Sequence, residues 1–314
     1  MRVTLLGATG TAGRAAAASL LAAGNEGATV IRPGADPLPG TETHRAEATM
    51  PEPFSAAIIA SRPEAIVSCL ASRTGAPAEA AEIDHRAHST ALAAALEAGA
   101  SHFVLLSALC VQKPKLPFQH AKLAFEAELQ AAPLTWSIVR PTAFFKSLSG
   151  QVSRVADGKP FLVFGRGDLT AAKPISDRDL GAFLASCLTD PRRQGKILPI
   201  GGPGPAITPL DQVRILEELL GRTVPIRRVP VAVMDAVIAG LSLAGSVSPS
   251  LRAKADFARI GRYYGTESML ALNPETGRYD ADTTPEFGTD TLKDHYRALL
   301  AGDTTAGLGA HAVF

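Results

Sequence analysis

Three glycines spaced three residues apart, Gly7, Gly10 and Gly13, carry the first chemistry legible in this chain. They follow an apolar run at Arg2–Leu6 and open an alanine-rich stretch. Gly7 allows a tight turn, Gly10 lets backbone approach a pyrophosphate, and Gly13 lets a helix pack closely on a strand. Backbone N–H groups around Thr11 to Gly13, helped by the helix dipole, favour an anion. Gly7, Thr9, Gly10, Thr11, Ala12, Gly13 and Arg14 are therefore the expected phosphate cradle of a dinucleotide. The competing reading is a glycine-tight turn that holds no ligand.

The second strand decides which dinucleotide. NAD-selective folds end it on an acid that holds the ribose 2′-hydroxyl. Here Ala28-Thr29-Val30-Ile31-Arg32 ends on a cation, and Arg14 follows the third glycine. Two guanidiniums suit a 2′-phosphate, which they grip bidentately. NADPH is the expected cofactor.

Short-chain dehydrogenases carry a Tyr-x-x-x-Lys on the helix after the fifth strand and a Ser at that strand's end. The phenol acts as proton donor and the Lys tunes it and binds ribose. This chain has Ser107 and then Phe118-Gln119-His120-Ala121-Lys122. Lys122 stands at the expected offset, as catalytic and ribose-binding residue, with Ser107 and Pro141 as further cofactor contacts. Phe118 stands where the acid belongs and cannot protonate an alkoxide. His120, two residues from Lys122, points to another helix face. Phe118, Phe144, Phe145, Phe161, Tyr263 and Tyr264 are candidate walls for a flat substrate, and core packing explains each almost equally well.

Positioning these residues requires an alternating fold. Apolar strand cores are expected at Val3–Leu6, Ala28–Arg32, Ala65–Leu70, Phe103–Ser107 and Thr135–Arg140, with helices near 11–24, 53–61, 82–98 and 119–131. That alternation predicts an α/β, doubly wound parallel sheet of the Rossmann type, with the site beyond the strands' carboxyl ends. Residues 1–150 are expected to form the NADPH-binding domain, and 151–302 late strands with a smaller substrate lobe. Residues 303–314 are expected to be a flexible tail. Thr208-Pro209 predicts a helix start and Gly221 its stop, and Asn273–Gly277 a turn.

The chain has 314 residues, 31 basic and 30 acidic, and a formal net charge of +1. Without a basic block, nucleic acid is not an expected partner. Cys69, Cys110 and Cys187 lack ligand spacing and read as thiols of a reducing compartment. His85 and His88 lack a third ligand at zinc spacing, so no metal site is expected. No Gly-x-Ser-x-Gly elbow signals a hydrolase. The apolar stretch Val229–Val247 falls short of a spanning helix; it reads first as a packed helix, second as a lip for a hydrophobic substrate or membrane surface. Strand structure from residue 2 leaves no room for a transit peptide, so a cytoplasmic, bacterial-type chain is expected, peripheral to a membrane at most.

Several runs are similar to one family. Gly7–Arg14, the stretch Phe118-Gln119-x-Ala121-Lys122-Leu123-x-Phe125-Glu126 and Lys173-Pro174-Ile175-Ser176-Asp177-Arg178-Asp179-Leu180 resemble NADPH-dependent divinyl chlorophyllide 8-vinyl reductases. These are reductases of the atypical short-chain dehydrogenase type. The runs Ala258–Leu270 and Thr276–Asp282 resemble that family's C-terminal signature. The glycine pattern alone is shared with NmrA-like and isoflavone-reductase-like proteins; the C-terminal runs are more specific. The resemblance implies cofactor contacts at Gly7, Gly10, Gly13, Arg14 and Arg32, with Lys122 near the nicotinamide. It implies a tetrapyrrole substrate whose 8-vinyl group becomes ethyl in chlorophyll or bacteriochlorophyll synthesis, and it transfers no proton donor. The alternatives are a non-catalytic NmrA-like NADPH sensor and an isoflavone- or quinone-reductase-like enzyme.

Overall fold

A computed structural model of the chain describes residues 1–304. The elements run β1 (Arg2–Leu6), α1 (Thr11–Ala22), β2 (Glu26–Ile31), β3 (Thr41–Arg45), α2 (Pro51–Ala60), β4 (Ala65–Ser68) and α3 (Pro77–Glu79). A π-helical stretch, Ala80–Ala87, leads into α4 (His88–Glu97), then β5 (His102–Leu106), α5 (Pro117–Ala131) and β6 (Thr135–Pro141). Next come α6 (Phe145–Leu148), α7 (Val152–Ala156), β7 (Phe161–Phe164), α8 (Asp177–Ser186) and β8 (Lys196–Ile200). The chain continues as α9 (Pro209–Leu220), β9 (Ile226–Val229), α10 (Val231–Ala244), α11 (Pro249–Thr266) and α12 (Leu292–Ala301). Two units emerge. The first comprises Met1–Ser72, Pro77–Pro141 and Asp177–Ile200; the second comprises Arg73–Ala76, Thr142–Ser176 and the described residues from Gly201.

The first unit is built on a seven-stranded sheet in the order β3-β2-β1-β4-β5-β6-β8. Every pairing in it is parallel, from Arg2↔Glu26 at one end of β1 to Pro141↔Ile200 between β6 and β8. The order reverses at β1, whose neighbours are β2 and β4, so the crevice beyond these carboxyl ends is the switch point. All five strands expected from sequence form, with ends moved by a residue or two. β3 went unseen because Thr-Glu-Thr-His-Arg carries no apolar run, and an edge strand needs none.

Packing fixes the helices on this sheet. Leu6, Ile66, Phe103 and Ile138 from the strands meet Ile58 of α2 and Phe125 of α5 in one core. Fully burying a side chain such as Phe103 or Phe125 contributes about 1.5–3 kcal/mol. Against α1 lies α8, so closely that a Cβ on Gly181 would sit 2.5 Å from the Ala15 carbonyl oxygen. The alanines of α1 serve that close approach.

In the second unit β7 and β9 form a two-stranded parallel ribbon. Thr208 caps α9 by accepting from Asp211 N at 3.2 Å, and Gly221 ends it in the left-handed region at φ 64°. The Asn273–Gly277 turn closes with Gly277 N donating to Asn273 O at 2.9 Å. One expectation needs correction. The apolar stretch ending at Val247 does not pack as a core helix, for α10 buries none of its residues. The expectation of a tail over 303–314 falls, from residue 305 on, outside the described residues.

Candidate functional site

The glycine turn divides into positions the fold needs and one it does not. Gly7, at φ 72°, lies against β4's exit, where a Cβ would come within 2.6 Å of the Cys69 carbonyl. At Gly13 a Cβ would come within 2.2 Å of the Gly7 oxygen. Both glycines are required by the protein's own packing. Gly10 is exposed, and a Cβ there would meet only the Gly7 oxygen at an ordinary 3.5 Å. Its bareness has no internal cause, and fits a surface kept clear for an incoming group.

That surface is also electropositive. Gly10 caps α1 without a side chain, and the first turn of the helix has no acidic residue. The helical ladder begins with Arg14 N donating to Gly10 O at 2.9 Å. The amides of Ala12 and Gly13 precede that bond and face the helix's positive end. Arg14 is exposed and donates through Nε to the Thr9 carbonyl at 3.1 Å, which folds its guanidinium back over the turn. Arg32 is exposed directly after β2. These residues fit a dinucleotide: a bare backbone cradle for pyrophosphate, and two exposed guanidiniums for a 2′-phosphate.

Lys122 is not a surface lysine. It is buried on α5, and its Nζ donates to Asp84 Oδ1 at 2.9 Å. Asp84 lies in the π-helical stretch and also accepts from Ser72 N at 3.2 Å and from the Ser72 hydroxyl. Burial pushes the Asp84 carboxyl up, but Lys122 and the Ser72 bonds outweigh it, and the net direction is down. The Asp84 carboxylate is therefore ionised at neutral pH. An ammonium has three N–H donors; among the described residues Asp84 is Lys122's only partner, which leaves donors for ribose hydroxyls.

His88 braces the same wall. Its Nδ1 faces the Ile83 carbonyl at 2.8 Å, so that nitrogen carries the proton and Nε2 accepts from Ser68 Oγ at 2.9 Å. Burial, then the Lys122 charge, lowers the ring to about 4, so it stays neutral. His85 reaches instead to Glu128, so the two histidines have separate partners. Ser107, buried after β5, donates to Glu126, and Glu126 pairs with Arg140 of β6. Its hydroxyl proton is spent inside the unit. Phe118 is buried and Pro141 ends β6. His120 is exposed, away from Lys122.

Asp84 and Glu126 were missed by the sequence reading. Glu126 had a signal, one helical turn after Lys122. Asp84 had only its place beside His85 and His88, because its partner lies 38 positions away.

The other expected walls belong to the second unit. Phe145 and Phe161 sit in its core, where packing accounts for them. Tyr263 is buried and Tyr264 is 43% exposed, their rings edge to face at 5.6 Å. Phe144 is half-buried and bridges Ile175.

Residues 7–191 match the model of a family described as NAD(P)H-binding. The chain belongs to that family. It is 51% identical over 257 residues to the chloroplastic divinyl chlorophyllide a 8-vinyl-reductase of Cucumis sativus, covering 80% of this chain and 61% of that protein. The protein of the same description from Arabidopsis thaliana is 51% identical over 243 residues, 76% of this chain and 58% of its own length. The chain thus spans about three-fifths of the length of these curated relatives. Among solved structures, an NADPH-dependent quinone oxidoreductase of Escherichia coli, complexed with NADPH, is similar with a TM-score of 0.67. Identity there is 17%, covering 95% of this chain and 99% of the other. That likeness supports the fold.

The structure gives the family-like runs local packing roles. Gly181, one residue past the Lys173–Leu180 run, seats α8 on α1, behind the phosphate cradle. In the second unit Ser268 Oγ accepts from Ala171 N at 3.0 Å, and the Tyr279 hydroxyl donates to Glu267 at 2.6 Å. The C-terminal runs are braces of that unit.

Proposed function

We propose that this chain is an NADPH-dependent reductase that converts the 8-vinyl group of a divinyl chlorophyllide to ethyl. The reading is carried by about half-identity over four-fifths of the chain to proteins described as 8-vinyl-reductases. It is supported by Arg14 and Arg32, which suit a 2′-phosphate, and by Phe118, which removes the usual phenolic acid. When bound, NADPH supplies the hydride.

The chain's residues then position and shield. The amides after Gly10 hold the pyrophosphate, and Lys122, fixed by Asp84, holds ribose hydroxyls. Gly7, Thr9, Thr11, Ala12, Ser107 and Pro141 complete the proposed cofactor contacts. Phe118 of the first unit is a proposed aromatic contact for a planar tetrapyrrole; Phe144 and Tyr264 are proposed contacts within the second unit, taken by itself. Hydride delivered to the terminal vinyl carbon leaves charge on the inner carbon, spread into the macrocycle. Such charge needs less help from a proton donor than an alkoxide does, so positioning near about 3–3.5 Å carries most of the catalysis. A proton from water or a nearby side chain completes the ethyl group. No nucleic acid takes part, and peripheral association with a photosynthetic membrane belongs to the same proposal.

The test is purified chain with NADPH and divinyl chlorophyllide. The expected result is a shifted pigment absorption and an 8-ethyl product, with deuterium from labelled NADPH in the new methyl group. Label at the methylene would overturn the regiochemistry. Tight NADPH binding with an untouched vinyl group would replace the enzyme by a cofactor sensor.

A further inference from the structure

α10 is an apolar helix with no buried residue. Its two polar side chains are tied to α11: Asp235 pairs with Arg262, and Ser242 accepts from Arg259 at 2.7 Å. The opposite stripe, Val233, Val237, Gly240 and Ala244, recurs at helical spacing, and Val247 follows in the turn after the helix. Val237 is 50% exposed and Val247 87%, and Leu243 beside them is 79% exposed. Contiguous exposed apolar surface of this kind marks an interaction site.

Charge says what covers it. Arg227 and Arg228 are exposed immediately before the helix, and Arg252 and Lys254 are exposed at the start of α11. The one acid of α10 is neutralised by Arg262. An apolar stripe flanked by cations suits the boundary layer of an anionic bilayer, with valine and leucine below the headgroups and the basic residues among them. Fourteen residues make a helix about 21 Å long, short of a bilayer core of about 30 Å. Among the described residues no helix is long and apolar enough to cross a membrane.

We propose that the outer face of α10 docks on an anionic lipid surface, lying in the interface and not spanning it. This deepens the peripheral association proposed above by naming the surface that makes it, and its test is independent of the proposed reaction. Its test is co-sedimentation of the full chain with vesicles of phosphatidylcholine, alone or mixed with phosphatidylglycerol, at low and high salt. The chain is expected to sediment with the mixed vesicles at low salt, and about tenfold less with the neutral ones. V237E/L243E is expected to lose about tenfold or more of this binding, with melting temperature and NADPH affinity unchanged. R227E/R228E is expected to weaken binding to mixed vesicles by about tenfold and to leave the neutral ones unaffected. The proposal is overturned if the wild type stays in the supernatant with both vesicles, or if V237E/L243E sediments as the wild type does. It is equally overturned if the wild type is a dimer that V237E/L243E separates, since the face would then join two copies of this chain.

Discussion

The β1–α1 turn and the Asp84–Lys122 wall both lie in the first unit, and they are made by opposite means. The turn is made by removal: side chains are absent at Gly7, Gly10 and Gly13, and backbone is left bare. The wall is made by addition: buried charges from a π-helical stretch and from α5 meet, and a neutral histidine is held behind them. A backbone cradle tolerates no added atom where it touches itself. A buried ion pair tolerates no missing partner.

The largest expected effect falls in the turn. Gly13→Ala forces a Cβ to 2.2 Å from the Gly7 oxygen, and backbone on both sides cannot yield. Overpacking of this severity costs about 3 kcal/mol or more, so a cooperative melt near the wild-type temperature should be lost. Gly10→Ala meets only an ordinary contact. It should melt as the wild type does while its NADPH dissociation constant rises about tenfold, ~1.4 kcal/mol. Equal melting losses in the two variants would erase the distinction between packing glycine and ligand glycine.

Next comes the wall. Asp84→Asn strands a buried ammonium, which costs about 3–5 kcal/mol, read as a lower denaturation midpoint. The double variant Asp84→Asn with Lys122→Met should recover part of that loss, because no unpaired charge remains. If the two losses simply add, the pair is not coupled.

The two regions also differ in how far they can be read from the chain. The turn is local: strand, glycines and helix follow within a dozen residues, and their spacing states the backbone they need. The wall is not local, for Lys122 lies 38 positions from Asp84. Lys122 itself stood out by its offset from Phe118, but its burial and its counter-ion depend on how α5 meets the π-helical stretch. Ser107 was legible as a strand-end serine, while its bond to Glu126 was not. α10 went wrong for a related reason. Apolar composition signals burial against something, and sequence does not say whether that something is the protein's own core.

Acid should weaken the wall without touching the turn. The His88 ring is held near 4, against an ordinary 6.5, by burial and then by Lys122. Between those values the unfolded chain binds the proton and the folded chain does not, so stability falls as pH falls from 6.5 towards 4. His102, lowered to about 4 by burial, acts in the same direction. Asp84 adds to the loss only below the ordinary carboxylate range, since its folded value is lowered. A shift of this size in one histidine corresponds to a few kcal/mol, so His88→Leu should flatten the dependence of melting temperature on pH across that window. An unchanged slope would mean that the ring is protonated in the fold.

The smallest effect belongs to cofactor choice, at the rim of the turn. Arg32 is exposed after β2, so replacing it disturbs no packing and any change reports on the ligand. A charge-assisted bond to a 2′-phosphate is worth about 1.5–3 kcal/mol. Arg32→Glu removes that bond and places an acid where NAD-selective folds carry one. NADPH affinity should fall at least about tenfold, while NADH affinity holds or rises and the melting temperature stays put. Arg14→Ala should show a weaker version of the same split, because its Nε is already engaged by the Thr9 carbonyl. If Arg32→Glu lowers affinity for both cofactors alike, the guanidinium serves the phosphates common to both, and the preference for NADPH lies in Arg14.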